Sequence, residues 1–201
     1  MDKRGVLRAL GAATLAGTAA LALTACNKND KPRFQGVDVT GAEYARDIPL
    51  ADVNGQRRSL KDFSGKVVAV FFGYTQCPDV CPTTLQELVE VKQQLGPQGD
   101  RLQAVFVSLD PERDTPAVLK AYLANFDDSF VGLHGTPEEI AAVAKDFKIF
   151  FKKVPGKTEG TYTLDHSAGT YLYDTQGRLR VYERYGAGPQ VLAQDVKALL
   201  G

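Results

Sequence analysis

The chain has 201 residues, 44% hydrophobic and 24% charged, which are the proportions of an ordinary globular protein, and one folded domain is expected. Its 24 basic and 24 acidic residues cancel and are scattered rather than blocked together. The positive stripe needed to neutralise phosphates is therefore missing, which excludes nucleic acid as an expected partner.

In chain order, Lys3, Arg4 and Arg8 stand ahead of an uncharged run over residues 9–27, the layout of an export signal. The run is mostly Ala, Gly, Thr and Leu, and its apolar part ends near the lower limit for crossing a bilayer, which favours a cleaved signal over a spanning helix. It closes on Leu23-Thr24-Ala25-Cys26, which resembles the lipobox of bacterial lipoproteins. That resemblance implies a signal peptide over residues 1–25 and acylation of Cys26 as the new N-terminus. Acyl chains contribute about 0.8 kcal/mol per buried CH₂, enough in pairs to hold the mature chain on a membrane, outside the cytoplasm on the bacterial periplasmic side. Loss of residues 1–25 leaves 21 basic and 23 acidic residues, a net charge of −2.

Residues 26–46 are polar and lack a sustained apolar period, which predicts a tether between the lipid and a domain over residues 47–201. Asn54-Gly55, flanked by residues 48–50 and 58–60, predicts a small N-terminal β-hairpin. The apolar run 67–72 reads as a strand buried on both faces and ending at Gly73. Leu85, Leu88, Val89, Val91 and Leu95 form a helical stripe that closes at Gly96-Pro97. A second buried strand over 102–109 and a helix over 116–126 follow, the helix opened by Asp114-Thr115 before Pro116. Next come a short strand over 131–133, a helix over 137–147, and an edge strand over 149–153. After the loop 155–161 the pattern changes to a hairpin, 171–173 and 179–184 around Gln176-Gly177, and a closing helix over 190–200. Parallel strands with crossover helices first, then an antiparallel hairpin and a helix, predict an α/β chain with a thioredoxin-like fold and an N-terminal β-hairpin extension.

Three cysteines is an odd number, and with Cys26 assigned to lipid the other two form a pair, Cys77 and Cys81. A disulfide across so short a loop removes little chain entropy, so a structural staple explains the pair poorly. The pair leaves a buried strand and enters a helix with Pro82 near its first position. Unpaired N–H groups and the helix dipole there favour thiolate, and Cys81 is expected to be the reactive one. Two thiolates so close repel unless a disulfide or a soft cation such as Cu(I) or Zn(II) joins them. The chain has two histidines. His166 lies at the loop that faces the active-site helix in thioredoxin-like folds and is the expected third ligand; His134, without a partner motif, is expected to be structural or at the surface. Asp165 is a candidate for orienting the His166 imidazole, Asp79 for screening the site or docking a basic partner. Phe71, Phe72 and Tyr74 are read as core or rim aromatics. Residues 110–116 are read as a loop and cap that support the site, because hard oxygen donors are mismatched to Cu(I).

The segment Phe72-Gly73-Tyr74-Thr75-Gln76-Cys77-Pro78-Asp79-Val80-Cys81-Pro82 resembles the copper-binding motif of Sco/SenC proteins. Ser108-Leu109-Asp110-Pro111-Glu112-Arg113-Asp114-Thr115-Pro116 is similar to that family's second signature, and Asp165-His166-Ser167 to its distal histidine motif. The resemblance runs from about residue 48 to the C-terminus. It implies a thioredoxin fold and one copper ion, Cu(I) or Cu(II), held by Cys77, Cys81 and His166. It also implies a metallochaperone that serves the copper A site of cytochrome c oxidase, with the apo copper subunit or another periplasmic copper chaperone as partner; nothing in the sequence argues for more than a monomer. The competing reading is a membrane-anchored thiol-disulfide oxidoreductase in which Cys77 attacks and Cys81 resolves. It leaves His166 without a task, and CxxxC replaces the CxxC usual in thioredoxin-type reductases. A peroxiredoxin-type peroxidase needs a lone peroxidatic cysteine and fits least.

Overall fold

The computed structural model describes residues 33–201. The expected signal, Cys26 and the first part of the tether lie outside the described residues. Among the described residues no helix is long and apolar enough to cross a membrane.

Among the described residues the fold is built on a seven-stranded sheet in the order β1 (Val37–Asp38), β9 (Leu179–Glu183), β8 (Thr170–Tyr173), β3 (Val67–Gly73), β4 (Leu102–Ser108), β5 (Val131–His134) and β2 (Ala51–Asp52). Its centre is β3 (Val67–Gly73) paired in parallel with β4 (Leu102–Ser108), every residue of both buried. Continuous apolar strands of this kind need cover on both faces. Helices α1 (Val80–Gln94) and α4 (Pro189–Leu200) pack against each other, and α2 (Pro116–Leu123) packs on β5 (Val131–His134). There Gly132 leaves the space that Leu119 and Leu123 fill. Thr115 caps α2 by accepting the Val118 N–H, and Thr136 with Glu139 forms a capping box on α3 (Pro137–Asp146), each helix carrying proline in its first turn. The last hairpin, β8 (Thr170–Tyr173) with β9 (Leu179–Glu183), adds antiparallel strands beside β3. The mixed α/β sheet and its helices are those of a thioredoxin-like domain.

The Asn54-Gly55 turn forms, with Gly55 at φ +80° and an isolated bridge between Ala51 and Arg57. Strand β2 (Ala51–Asp52) also pairs with β5, so the N-terminal extension becomes an edge of the main sheet. Two expectations are corrected. The segment expected to be tether is part of the fold from residue 35 onward. Asp195 accepts the N–H groups of Gln35 and Gly36, β1 (Val37–Asp38) pairs with β9, and Ala45 is fully buried. A polar segment satisfied by backbone bonds along a sheet edge leaves no apolar period to read. The expected edge strand over 149–153 is instead β6 (Phe151–Pro155), which among the described residues pairs only with β7 (Tyr162–His166) in a separate two-stranded sheet.

Candidate metal centre

Strand β3 ends at Gly73, and residues 74–79 turn the chain into α1. Cys77 sits in that turn, part-buried, its N–H donating to the Tyr74 carbonyl at 3.2 Å. Cys81 is the second residue of α1 and wholly buried. Both thiols are free. Gly73 makes room for the pair: a Cβ there would stand 2.6 Å from Cys81 Sγ and 3.0 Å from the Phe106 ring. The close approach of a sulfur to the strand is what requires glycine.

The thiols divide one charge unequally, and the division corrects the expectation that Cys81 is the reactive one. Cys77 is held far below the ordinary thiol value, to about 4, first by the hydrogen bond from the Cys81 thiol. The N–H groups of Asp79 and Cys81 add to this, against an opposing effect of burial. Cys81 is driven upward by its bond to Cys77 and by burial. The Cys81 thiol is the largest influence on Cys77, and the N–H groups at the helix entrance add to it.

His166 is the last residue of β7, rather than a loop residue. Its Nδ1 lies 2.9 Å from the Ser167 carbonyl and its Nε2 3.6 Å from Cys81 Sγ. A carbonyl only accepts, so in the neutral ring Nδ1 carries the proton and Nε2 turns a lone pair toward the sulfurs. The ring stands edge-on to Tyr74 and Phe71, at centroid distances of 5.9 and 6.3 Å. Those aromatics limit its rotation. Cys77, Cys81 and His166 thereby bring one donor atom each within 4.8 Å of one another. Donors about 2.1–2.3 Å from a shared ion stand roughly 3.6–4.0 Å apart in a trigonal arrangement. The S₂N set fits a soft, low-coordinate ion with little movement.

The Ser167 carbonyl, not Asp165, orients the imidazole. Asp165 is exposed while Leu164 before it is buried, and successive side chains on a strand point to opposite faces. Asp79 is exposed at the N-cap of α1 and makes no capping bond with its side chain. His134 bonds the Asp52 carbonyl at 3.1 Å across the β2–β5 edge, a structural contact.

The loop after β4 supports the cysteine turn, as expected of residues 110–116. Asp114, 2% exposed, accepts the Thr75 N–H at 3.0 Å, the Thr75 hydroxyl at 2.6 Å and the Ser108 hydroxyl at 2.6 Å. Burial raises its pKa against those bonds. Sequence reasoning did not single out Gln76, Arg113 or Tyr162. Arg113 donates to Gln76 and to Tyr162, and its guanidinium lies 3.6 Å over the Tyr162 ring. No local pattern joins three residues so distant in the chain.

Residues 38–201 match the family model SCO1/SenC. An SCO2-like protein of Rickettsia felis is 36% identical over 152 residues, covering 75% of this chain and 74% of that one. Among solved structures, ScoI of Bradyrhizobium japonicum with copper bound is 45% identical, with a TM-score of 0.68 over 76% of this chain and 97% of that one. Yeast Sco1 with copper bound is 30% identical, with a TM-score of 0.66 over 82% of this chain and 87% of that one.

Proposed function

From the premise that this chain belongs to the SCO1/SenC family, we propose that it is an extracytoplasmic copper carrier, taking one copper ion on Cys77, Cys81 and His166. The observation that carries the reading is the convergence of those three donors, with the free Nε2 lone pair turned toward two sulfurs. Thiolate and imidazole are soft and borderline donors, and two sulfurs with one nitrogen suit Cu(I). The bound copper of ScoI and of yeast Sco1 supports the same cargo here. Cys77 enters as a thiolate, Cys81 gives up its proton as the ion takes the place of the inter-thiol hydrogen bond, and His166 closes the third position. Release to an acceptor proceeds by exchange of these ligands one at a time. The acceptor in this reading is the copper A site of cytochrome c oxidase, reached from a membrane anchor at acylated Cys26.

The unequal thiols favour a second use of the same residues. Cys77 attacks a disulfide, one sulfur leaves as a thiolate, and a mixed disulfide forms; Cys81, losing its proton to the departing group, attacks Cys77 and releases the second thiolate. The partner disulfide is reduced as Cys77 and Cys81 are oxidised. Such a step would prepare the acceptor's cysteines before metal transfer.

The test is copper content and Cu(I) affinity of the reduced protein, measured by competition with a chromophoric chelator. The parent is expected to hold one copper per chain and His166→Ala to lose about tenfold or more in affinity, while Cys77 and Cys81 still form a disulfide on oxidation. Equal affinity of parent and His166→Ala would overturn the three-ligand site.

A further inference from the structure

We infer that Arg113 is a positioning residue that sets the separation between the cysteine turn and the histidine hairpin. This rests on the three-donor reading of the site. Arg113 touches none of the donor atoms. Its Nη1 donates at once to Gln76 Oε1 at 3.0 Å, next to Cys77, and to the Tyr162 carbonyl at 2.9 Å, at the start of the strand that ends in His166. One nitrogen therefore joins the two segments that must meet. Its Nε donates to Asp110, a carboxylate 1% exposed that also accepts the Tyr162 hydroxyl at 2.7 Å. The guanidinium plane lies 3.6 Å over the Tyr162 ring and 5.7 Å from the ring of Tyr74, which stands edge-on to His166.

Two further facts separate positioning from plain support. The β6–β7 sheet shares no backbone ladder with the main sheet, so its placement depends on side-chain ties such as this one. Among the described residues Arg113 Nη2 has no protein acceptor, so Nε and Nη1 alone make the ties that join the two segments. Lysine does not replace this geometry: an ammonium is a point donor and cannot lie flat on Tyr162 while reaching Asp110, Gln76 and a carbonyl in three directions.

The experiment uses Arg113→Lys and, as a surface change that leaves the core untouched, Gln76→Ala, each in the parent and in the His166→Ala background. Cu(I) affinity is measured together with amide hydrogen exchange of the metal-free protein. Arg113→Lys is expected to weaken Cu(I) about tenfold in the parent and less than about twofold once His166 is gone, with Gln76→Ala following at about threefold. Without metal, amides of β6 and β7 should exchange about tenfold faster in Arg113→Lys, with those of β3 and β4 unchanged. The same loss of affinity in both backgrounds, or unchanged exchange in the hairpin, overturns the inference. If parent and His166→Ala bind copper alike, the copper reading fails instead, and the exchange data still decide the role of Arg113.

Discussion

Two hairpins follow α3, and they are held in different ways. In β8–β9 the strands are integrated into the main sheet beside β3, with Thr170–Tyr173 buried throughout. In β6–β7 each strand has only the other as partner, and of its ten residues only Leu164 is fully buried. The cysteines belong to the first kind of scaffold, since their turn leads from the fully buried β3 into α1 and is braced by Asp114. The histidine belongs to the second. A site divided in this way has two sulfurs on a stiff platform and a nitrogen on an element whose local opening disrupts little apolar packing. For a carrier that division is useful, because the third ligand can leave without disturbing the platform that retains the ion.

The largest effect expected from this contrast is in hydrogen exchange. Amides bonded between β6 and β7 should exchange at least about a hundredfold faster than those of β3 and β4 in the metal-free protein, and copper should slow the hairpin more than the sheet. Equal protection in the two regions would break the comparison.

Gly73→Ala probes the platform itself. A methyl 2.6 Å from Cys81 Sγ and 3.0 Å from Phe106 forces the sulfur or the ring aside, for a loss of about 1–3 kcal/mol in unfolding free energy. Cu(I) affinity should fall in parallel, which chelator competition and denaturant titration on the same samples would establish. An effect on stability without one on affinity would mean that Phe106 yields and the sulfur stays.

Acidity distinguishes the sheet side in another way. Glu183, at the end of β9, is buried against Asp195, and burial followed by its hydrogen bond to that carboxylate pushes its pKa up to about 8. A folded value raised above the unfolded one means that the protonated form is favoured by folding. Its contribution is complete below about pH 4.5 and is lost as pH rises toward 8. Asp52, Asp127 and Asp174, held low by hydrogen bonds and by arginine or lysine partners, act in the opposite direction and lose their contribution as pH falls below about 4. Cys77, whose folded value is lowered, adds stability as pH rises over the same window, so the Glu183 contribution is read as a difference from the parent rather than as an overall peak. Glu183→Gln, whose amide can still donate to Asp195, should remove the downward component between about pH 4.5 and 8 and tilt the profile upward relative to the parent; an unchanged profile would refute the assignment.

The smallest effect is expected at the hairpin surface. Lys153 and Glu112 form an ion pair with both side chains about half exposed, where solvent screens the attraction. Lys153→Ala should change the melting temperature by only a degree or two, in contrast to Gly73→Ala.

The elements of the main sheet were legible because each carries its signal locally. Seven buried residues in a row mark β3 and β4, Thr115-Pro116 and Thr136-Pro137 mark helix starts, and Asn54-Gly55 and Gln176-Gly177 mark turns. The hairpin was half missed because Phe151–Pro155 and Tyr162–His166 show burial patterns with only one fully buried residue, so neither period stands out. The segment before residue 47 was missed for a related reason: its bonds run to Asp195 and β9, far along the chain.

For the site, spacing marked Cys77 and Cys81 as a pair, and His166 joined them through its expected place in a thioredoxin-like fold and the resemblance to Sco/SenC proteins. The direction in which each thiol shifts was not legible, because that depends on the contact between the two sulfurs and then on where each Sγ sits relative to the N–H groups of Asp79 and Cys81. Asp165 was placed beside the imidazole by adjacency in sequence, yet the alternation of a strand turns neighbours apart, and a backbone carbonyl one residue later takes the role.

By itself the sequence determined the donor chemistry and the buried strands, since thiol, imidazole and apolar runs are properties of residues and of short-range periodicity. Only the tertiary structure decided that Nε2 comes within 3.6 Å of a sulfur 85 positions away, that the Cys81 thiol and two backbone N–H groups converge on Cys77, and that Arg113 lies between the two halves. Those outcomes depend on distances closed by packing between segments remote in the chain, which no local pattern encodes.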